Sequence, residues 1–232
     1  MLTATRRWRT PLGRSFGDMR LRPEEPHSDR WRVLSLEALL DLLLPDHDAG
    51  SGARRVLAVD GRSSSGKTTL ASRLADVAVR STVVHTDDIA WWHSRFGWSG
   101  LLTQGIIEPF RAGEPVAFRP PAWDERGREG SITVPAETSM LIVEGVGSSR
   151  QELAAWIDAT LWVQADEEPI AERNAARIEA GETTSAGLAG WMSEERPFLA
   201  EDRPWERATA IVAGTGELPH KDCAEALVAG PA

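Results

Sequence analysis

The stretch Gly61-Arg62-Ser63-Ser64-Ser65-Gly66-Lys67-Thr68-Thr69 decides the fold. Its first eight residues fit the Walker A pattern G-x-x-x-x-G-K-[ST], in which glycines let backbone N–H groups turn inward around a polyphosphate. The stretch follows the apolar run Val56–Val59 and leads into the helix-forming run Thr69–Ala75, so the predicted context is strand, loop and helix. From the composition, a chance match somewhere in the chain has a probability of roughly two in a thousand. All nine residues are therefore expected to bind a nucleoside triphosphate.

Two side chains of this loop have specific expected roles. Lys67 is expected to act in catalysis by contacting the terminal phosphates, and Thr68 to ligate Mg²⁺, so ATP and Mg²⁺ are the predicted cofactors. Only Lys67 and Lys221 are lysines among the 26 basic residues, and a compact charge on a flexible stem suits phosphate oxygens. The alternative interpretation is a Gly/Ser-rich surface turn.

Length, charge and cysteine content narrow the class of protein. The 232 residues suffice for one α/β domain, and the net charge of −9 argues against a general nucleic-acid-binding surface. The single cysteine, Cys223, excludes an intrachain disulfide, and we find neither a signal peptide nor an apolar run of about twenty residues. We therefore expect a cytoplasmic protein that binds a small-molecule acceptor and has no nucleic-acid or membrane partner. A homodimer is also compatible with the sequence.

Strand and helix patterns alternate along the chain. Strands at Arg54–Asp60 and Thr82–Thr86 enclose a helix that runs to about Arg80, which makes a parallel βαβ unit with a right-handed crossover. Further strands are predicted at 140–145, 159–163 and 209–213, and further helices at 35–44, 100–111, 150–156, 167–180 and 188–200. The predicted fold is α/β, a three-layer P-loop NTPase fold whose central parallel β-sheet is flanked by helices. A small lid and a flap or hairpin over 115–134 complete it.

Three regions are expected along the chain. Residues 1–30 are rich in arginine and show little apolar periodicity, which predicts a mobile N-terminal extension. Residues 31–216 form the predicted P-loop domain, with its core at 54–216. Residues 217–232 are predicted to be a C-terminal tail, in which Lys221–Ala229 forms a frayed helix.

Carboxylates are predicted to meet the phosphate loop at one edge of the sheet. Asp87 and Asp88 follow the second strand and Glu144 ends an apolar strand, and parallel strands bring their carboxyl ends to a common edge. Asp87 is expected to be the base that takes a proton from an acceptor hydroxyl, with Asp88 as the alternative. Thr68, Glu144 and Asp88 are the predicted Mg²⁺ ligands, because this ion prefers hard oxygen atoms. Helix capping is the simpler interpretation of the paired acids.

Arginine and tryptophan side chains complete the predicted site. Arg173 and Arg177 lie four residues apart on one helix face, where they are expected to act in catalysis by closing over the β- and γ-phosphates. A solvated face is the alternative. Besides Asp87, the residues expected to contact the acceptor are aromatic or basic, namely Trp91, Trp92, Arg119 and Trp123. Core or flap packing explains the indoles equally well. His85 and His93 lack metal-ligand spacing and are interpreted as structural.

With these residues in place, the chain resembles the uridine kinase family, in the broader group of phosphate-loop small-molecule kinases that includes phosphoribulokinase and the bacterial pantothenate kinases. The resemblance spans about 56–215 and rests on four stretches, Gly61–Thr69, His85–Asp88, Leu141–Gly145 and Glu172–Arg177. It implies that Asp87 is the acceptor-side base, that Glu144 lies near Mg²⁺ and that the two arginines belong to a lid. Two stretches depart from the family pattern: Asp87-Asp88-Ile89-Ala90 replaces Asp-x-Phe-Tyr, and Arg177-Ile178 replaces Arg-Asp.

The expected function is an ATP- and Mg²⁺-dependent kinase that phosphorylates a hydroxyl group of a small metabolite, with a uridine-like nucleoside as the first candidate. Two other enzymes fit the same loop: a nucleotide monophosphate kinase, which needs additional arginines for a phosphorylated acceptor, and an antibiotic-modifying phosphotransferase. A non-catalytic, nucleotide-binding regulatory module is the alternative from another class. The acceptor, the choice between ATP and GTP and the oligomeric state are not determined by these patterns.

Overall fold

The computed structural model describes residues 19–22, 24–28, 31–45, 52–215 and 224–230. Much of the predicted extension, and residues 216–223, lie outside the described residues. The strands within these ranges are β1 (Arg32–Ser35), β2 (Arg55–Gly61), β3 (Ser81–His85), β4 (Val116–Phe118), β5 (Ile132–Val134), β6 (Met140–Glu144), β7 (Ala159–Gln164), β8 (Ala210–Ala213) and β9 (Glu225–Ala229).

The α-helices in the same ranges are α1 (Leu36–Leu43), α2 (Lys67–Val77), α3 (Thr86–Ala90), α4 (Ser99–Leu102), α5 (Glu108–Ala112), α6 (Pro121–Glu125), α7 (Glu167–Glu179) and α8 (Ser185–Asp202). A π-helical turn at Thr103–Ile107 joins α4 to α5, and 3₁₀ turns occupy Gln151–Trp156 and Pro204–Arg207. None of the helices in the described ranges is long and apolar enough to cross a membrane.

Seven strands form one central sheet in the order β1-β9-β8-β7-β2-β6-β3. The five strands from β8 to β3 pair in parallel, whereas β9 pairs antiparallel with both β8 and β1. Buried clusters on opposite faces of this sheet join it to the helices. The predicted α/β fold, with a mostly parallel sheet between layers of helices, is therefore confirmed.

The outer strands differ from what the sequence predicts. The frayed helix expected over Lys221–Ala229 is wrong, because Glu225–Ala229 is strand β9. Its partner on the outer side, Arg32–Ser35, was not predicted as a strand. Alanine, glutamate and leucine favour a helix in isolation, but Ala226–Ala229 are buried between two strands, and that packing overrides local propensity. The sheet thus extends beyond residue 216, into the region predicted as a tail.

The apolar core lies on both faces of the sheet and makes β2 a rigid base for the phosphate loop. The leucines of α1 and α2 pack on one face, against Leu57 and its neighbours in β6, β7 and β8. Trp98 and Phe110 pack on the other face, against Val56 and residues of β6. Ser35 caps α1 as predicted, since its side chain accepts a hydrogen bond from the backbone N–H of Ala38.

The predicted flap is a hairpin with a short helix at its tip. β4 and β5 pair antiparallel, and α6 lies between them. The hairpin packs on the helical stretch from Ser99 to Ala112, which contains a π-helical turn instead of being the single α-helix predicted over Gly100–Arg111. Gly105 permits this contact, because an added Cβ atom would lie 2.4 Å from the ring of Phe118.

Asp60 is a buried carboxylate that ties the phosphate loop to the loop after β6. Its Oδ1 atom accepts hydrogen bonds from the N–H groups of Gly61 (2.7 Å) and Gly147 (2.8 Å). Its Oδ2 atom accepts from the backbone N–H (3.0 Å) and the hydroxyl (2.7 Å) of Ser149. Burial raises the pKa of Asp60, and these four bonds oppose that rise by favouring the charged form.

Replacing Asp60 with alanine is expected to lower the free energy of unfolding by about 3 kcal/mol or more, because three buried N–H groups and a hydroxyl lose their acceptor. Denaturant-induced unfolding of the variant and the wild type measures the loss. The exposed Asp76 on α2 offers a matched control, since Asp76→Ala should change the free energy by less than about 0.5 kcal/mol. Equal stability of the two variants would contradict the structural role of Asp60.

Candidate functional site

A cavity of about 970 Å³ opens at the carboxyl edge of the sheet, over the phosphate loop. The loop follows β2, with β7, β8 and β9 on one side of this strand and β6 and β3 on the other. The cavity therefore has two ends. Gly214 and Thr215, which follow β8, line one end. Asp87, which follows β3, and Glu144, the last residue of β6, line the other. We call these the β8 end and the β3 end.

The phosphate loop has the backbone conformation that its glycines predict. Gly66 has a φ of 104° at the start of α2, a left-handed conformation that favours glycine. The ammonium group of Lys67 donates to the carbonyl oxygen of Arg62 at 2.8 Å, so it lies across the loop. The residues of the loop that line the cavity are Ser63, Ser64, Gly66, Lys67, Thr68 and Thr69. These six are the predicted nucleotide-binding residues that the structure brings to the cavity.

Gly61, Arg62 and Ser65 do not line the cavity. The Arg62 guanidinium is buried, and its Nε atom lies 2.8 Å from Oε1 of Glu25. Burial lowers the pKa of Arg62, and the charge of Glu25 opposes that effect. Arg62 therefore supports the loop from behind, where its side chain has no access to a bound phosphate.

A second glutamate, not singled out by the sequence analysis, also holds the back of the loop. Glu195 of α8 is 1% exposed, and its Oε1 atom accepts a hydrogen bond from the N–H of Ser63 at 2.6 Å. Its Oε2 atom lies 3.4 Å from the guanidinium of Arg22. Arg22 and Glu25 both belong to the predicted extension 1–30, and Glu25 contacts the phosphate loop directly through Arg62, whereas Arg22 does so through Glu195. No local pattern indicates the contact, because 132 residues separate Ser63 from Glu195.

Thr68 and Glu144, two of the predicted Mg²⁺ ligands, are brought together. The hydroxyl of Thr68 donates to Oε1 of Glu144 at 3.2 Å, and Oε2 of Glu144 lies 2.7 Å from Nδ1 of His85. This hydrogen bond raises the pKa of His85, so the histidine is a partner of Glu144. The described residues contain no group of three or more His, Cys, Asp or Glu side chains arranged around a metal. A hydroxyl and a carboxylate nonetheless fit Mg²⁺, which commonly takes one or two protein oxygens together with phosphate oxygens and water.

The two neighbouring aspartates lie in different surroundings. Asp87 lines the β3 end of the cavity. Asp87 is exposed to the cavity, but desolvation by the protein around its carboxylate raises the pKa of Asp87, while the charges of Lys67 and Arg177 lower it. Asp88 faces the flap, where its Oδ1 atom lies 2.5 Å from the guanidinium of Arg128. The structure therefore does not bring Asp88 to Thr68 and Glu144.

The two predicted arginines of α7 both line the cavity but make different contacts. Arg173 donates to the carbonyl oxygens of Ser64 (2.9 Å) and Gly214 (3.0 Å), so it connects the phosphate loop to the loop after β8. Arg177 lies 3.3 Å from the exposed Glu182 and close enough to Asp87 to lower its pKa. Arg177 is therefore the arginine nearer to the β3 end.

The other predicted acceptor contacts, Trp91 and Trp92 after α3 and Arg119 and Trp123 on the flap, do not line the cavity. Arg128 stacks on the buried Trp123 ring at 3.7 Å and lies 5.2 Å from the Trp91 ring. The exposed Trp92 stacks on Arg126, and Arg119 bonds within the hairpin to Asp124 and to backbone oxygens. In this structure these side chains stabilise the flap, which is the packing alternative that the sequence left open.

Two other side chains line the β3 end, and the sequence analysis missed both. Arg95 comes from the segment after α3, and Trp191 comes from α8. Arg95 donates to the carbonyl oxygen of Gly190 at 2.7 Å, and the ring of Phe96 lies 5.5 Å from that of Trp191. These contacts hold the segment after α3 against α8. An arginine and an indole so far apart in sequence show no shared pattern that could have identified them.

Gly214 is required where the loop after β8 passes the phosphate loop. An added Cβ atom would lie 1.9 Å from the carbonyl oxygen of Ser65. Gly214→Ala is therefore expected to displace the loop and to weaken ATP binding by about tenfold or more, measured by calorimetric titration. Gly100→Ala is the matched control, because no atom lies within 4 Å of the added Cβ and affinity should not change. Unchanged affinity in Gly214→Ala would show that this contact does not set the loop geometry.

Solved structures that are similar to this chain include the following three. A possible uridine kinase from Bacillus stearothermophilus is 24% identical with a TM-score of 0.45, and the match covers 68% of this chain and 88% of that one. A proposed fructose transport system kinase from Silicibacter sp. TM1040 is 19% identical with a TM-score of 0.47, covering 73% and 90%. The YGR205w protein is 11% identical with a TM-score of 0.49, covering 75% and 90%.

At these identities and TM-scores the three structures carry no argument about this chain, and its proposed function depends on its own residues. No protein-family model matches the chain, and no curated protein matches it.

Proposed function

We propose that this protein is an ATP- and Mg²⁺-dependent kinase that transfers the γ-phosphoryl group to a hydroxyl group of a small metabolite, with a nucleoside as the first candidate. One observation carries the proposal: Asp87 lines the same cavity as Lys67 and Arg177 and lies close enough for both charges to lower its pKa. Phosphoryl transfer to a hydroxyl requires such a carboxylate beside the cations that hold the phosphates.

The residues of the cavity have three different roles: they bind the phosphates, neutralise charge on the phosphate oxygens, and accept the proton of the acceptor hydroxyl. The N–H groups of the phosphate loop and Lys67 hold the β- and γ-phosphates. Arg177, and Arg173 at the loop, offset negative charge on the phosphate oxygens. Asp87 accepts the proton of the acceptor hydroxyl as its oxygen attacks the γ-phosphorus atom. Thr68 and Glu144 would hold Mg²⁺, which when bound neutralises charge on the β- and γ-phosphates.

The cavity favours an enzyme over a nucleotide-binding regulatory module. Such a module needs the phosphate loop but neither a carboxylate nor space beyond it. Here the cavity of about 970 Å³ continues past the loop to Asp87 and to apolar side chains of α8. Among the other enzymes considered, a kinase for a phosphorylated acceptor needs an additional arginine, and Arg95 lines the β3 end.

The test is ADP release from Mg·ATP by the purified full chain, first without acceptor and then with a panel. The panel contains nucleosides, nucleoside monophosphates, pantothenate, sugars, and aminoglycoside and phenicol antibiotics. We expect one class to stimulate release by at least about tenfold over the blank, which would identify the acceptor. No stimulation by any class, in a protein shown separately to bind ATP, would favour the regulatory module.

A further inference from the structure

Positive side chains outnumber carboxylates along the described part of the cavity lining. Among the described residues, the cationic side chains that line it are Lys67, Arg73, Arg95, Arg173 and Arg177, against the carboxylates of Asp87 and Glu144. This excess of three positive charges occurs in a chain whose net charge is −9. Mg·ATP brings about two negative charges, so the lining side chains keep one positive charge that is met only by exposed ion pairs, Arg95 with Glu194 and Arg177 with Glu182. A cavity of this kind favours an acceptor that is itself anionic.

Arg95 is the cation whose place in the fold fits an acceptor. It follows β3 on the same segment as Asp87 and Ala90, so it lies at the β3 end, opposite the end lined by Gly214 and Thr215. We place the nucleoside of a bound nucleotide at the β8 end, beside the loop after β8 that Arg173 joins to the phosphate loop. The β3 end is then the space left for the acceptor.

The guanidinium of Arg95 retains donors for a ligand. Its Nη1 atom donates to the carbonyl oxygen of Gly190 and to Glu194. In the described ranges, its Nε and Nη2 atoms make no hydrogen bond. The side chains of Arg95 and Glu194 are 38% and 52% exposed. Because exposed ion pairs contribute little, the pair with Glu194 can be exchanged for a bound anion at small cost.

Ala90 of α3 and Val146 after β6 line this end, and Leu188 and Trp191 of α8 also line the cavity. They offer an apolar surface to the body of an acceptor. Arg95 and Asp87 are therefore the charged groups at the β3 end that can select an acceptor, with Glu144 engaged by Thr68 and His85.

We propose that the acceptor is a hydroxyl compound that also carries an anionic group, a phosphate or a carboxylate, and that Arg95 binds this group while Asp87 faces the hydroxyl. The role of Asp87 rests on the proposed function, whereas the anion site at Arg95 can be tested by binding alone. Nucleoside monophosphates, sugar phosphates and hydroxy acids belong to this class of acceptor. Free nucleosides and neutral sugars do not, so this inference replaces the nucleoside, the first candidate of the proposed function, with an anionic acceptor.

The binding test uses the full chain with its nucleotide site saturated by a non-hydrolysable Mg·ATP analogue. Inorganic phosphate and acetate are titrated separately by calorimetry, which distinguishes the two sources of charge. We expect at least one of them to bind, and Arg95→Gln to weaken that binding by about tenfold or more without changing the affinity for the nucleotide analogue. Failure of both anions to bind, or equal binding by the variant, would overturn the proposal.

Two further variants separate the charge of Arg95 from its structural contacts. Glu194→Gln removes the carboxylate partner and keeps the guanidinium, so anion binding should be retained. Arg95→Lys keeps the positive charge and should bind the anion more tightly than Arg95→Gln. If Glu194→Gln and Arg95→Gln lose binding equally, the ion pair that docks the segment on α8 explains the loss, and Arg95 is not the anion site.

The activity test compares acceptors that differ in charge but keep the primary hydroxyl: uridine with uridine 3′-monophosphate, glucose with glucose 1-phosphate, and panthenol with pantothenate. We expect the anionic member of the accepted pair to have a kcat/KM at least about tenfold higher, and Arg95→Gln to remove that preference. Preference for a neutral member would overturn the inference and leave the kinase proposal standing. No ADP release with any pair, while an anion still binds at Arg95, would overturn the kinase proposal and leave the anion site standing.

Discussion

Lys67→Ala is expected to lower kcat/KM for phosphoryl transfer by about a thousandfold or more, because the ammonium that crosses the phosphate loop is the cation closest to the terminal phosphates. Its Nζ atom lies 2.8 Å from the carbonyl oxygen of Arg62, on the side of the loop that faces the cavity. Alanine is a good helix former and suits the first position of α2, so the fold should persist. The measurement is ADP release at saturating acceptor, with the melting temperature checked in parallel.

Two further variants show whether the positive charge of Lys67 is sufficient or its shape is also required. Lys67→Arg keeps the charge but replaces a compact ammonium with a planar guanidinium, so it should also lose most of the activity. Arg32→Ala removes a cation from the exposed start of β1, at the far edge of the sheet, and should leave the rate within about twofold. If Lys67→Ala kept a tenth or more of the wild-type rate, the phosphate loop would not be the site of transfer.

Asp87→Asn is expected to reduce transfer by about a hundredfold to ten-thousandfold and to leave the affinity for ATP nearly unchanged. The amide fills the same space but cannot take a proton from the acceptor hydroxyl. Asp88→Asn is the matched control, because the neighbouring carboxylate faces Arg128 on the flap. Single-turnover transfer and calorimetric ATP titration separate the two effects. Equal losses in both variants would remove the assignment of Asp87 as the base.

The pH profile offers an independent check on Asp87. Desolvation by the protein around its carboxylate raises the pKa of Asp87 above the ordinary aspartate value, and the charges of Lys67 and Arg177 lower it. A base must be deprotonated to act, so kcat/KM falls as the pH drops through this raised pKa. Arg177→Gln removes the charge that favours the carboxylate and should move the acidic limb to higher pH. If the acidic limb of the Arg177→Gln profile stays at the wild-type pH, a group other than Asp87 controls the pH dependence of kcat/KM.

Much of the site was predictable because its signals are local or follow from a topological rule. The phosphate loop is a contiguous motif with a strand before it and a helix after it. Asp87 and Glu144 each follow an apolar strand, and parallel pairing brings such strand ends to one edge of a sheet. Two of the predicted carboxylates therefore meet the loop, whereas the neighbouring Asp88 does not. Asp87 and Asp88 are neighbours in the short helix α3, so their side chains leave the helix in different directions. Only that of Asp87 faces the cavity.

The sequence by itself determined the phosphate loop, the parallel core of the sheet, and the order along the chain of the acids and arginines that line the cavity. Tertiary structure alone decided that β9 is a strand and that Glu195 contacts the back of the phosphate loop. It also decided that Trp123 packs on Arg128 and that Arg95 lines the β3 end of the cavity. The physical reason is the range of the interactions. A motif and a periodic pattern act between near neighbours, whereas the contact from Arg95 to α8 joins residues 95 positions apart, and only the folded chain selects such a partner.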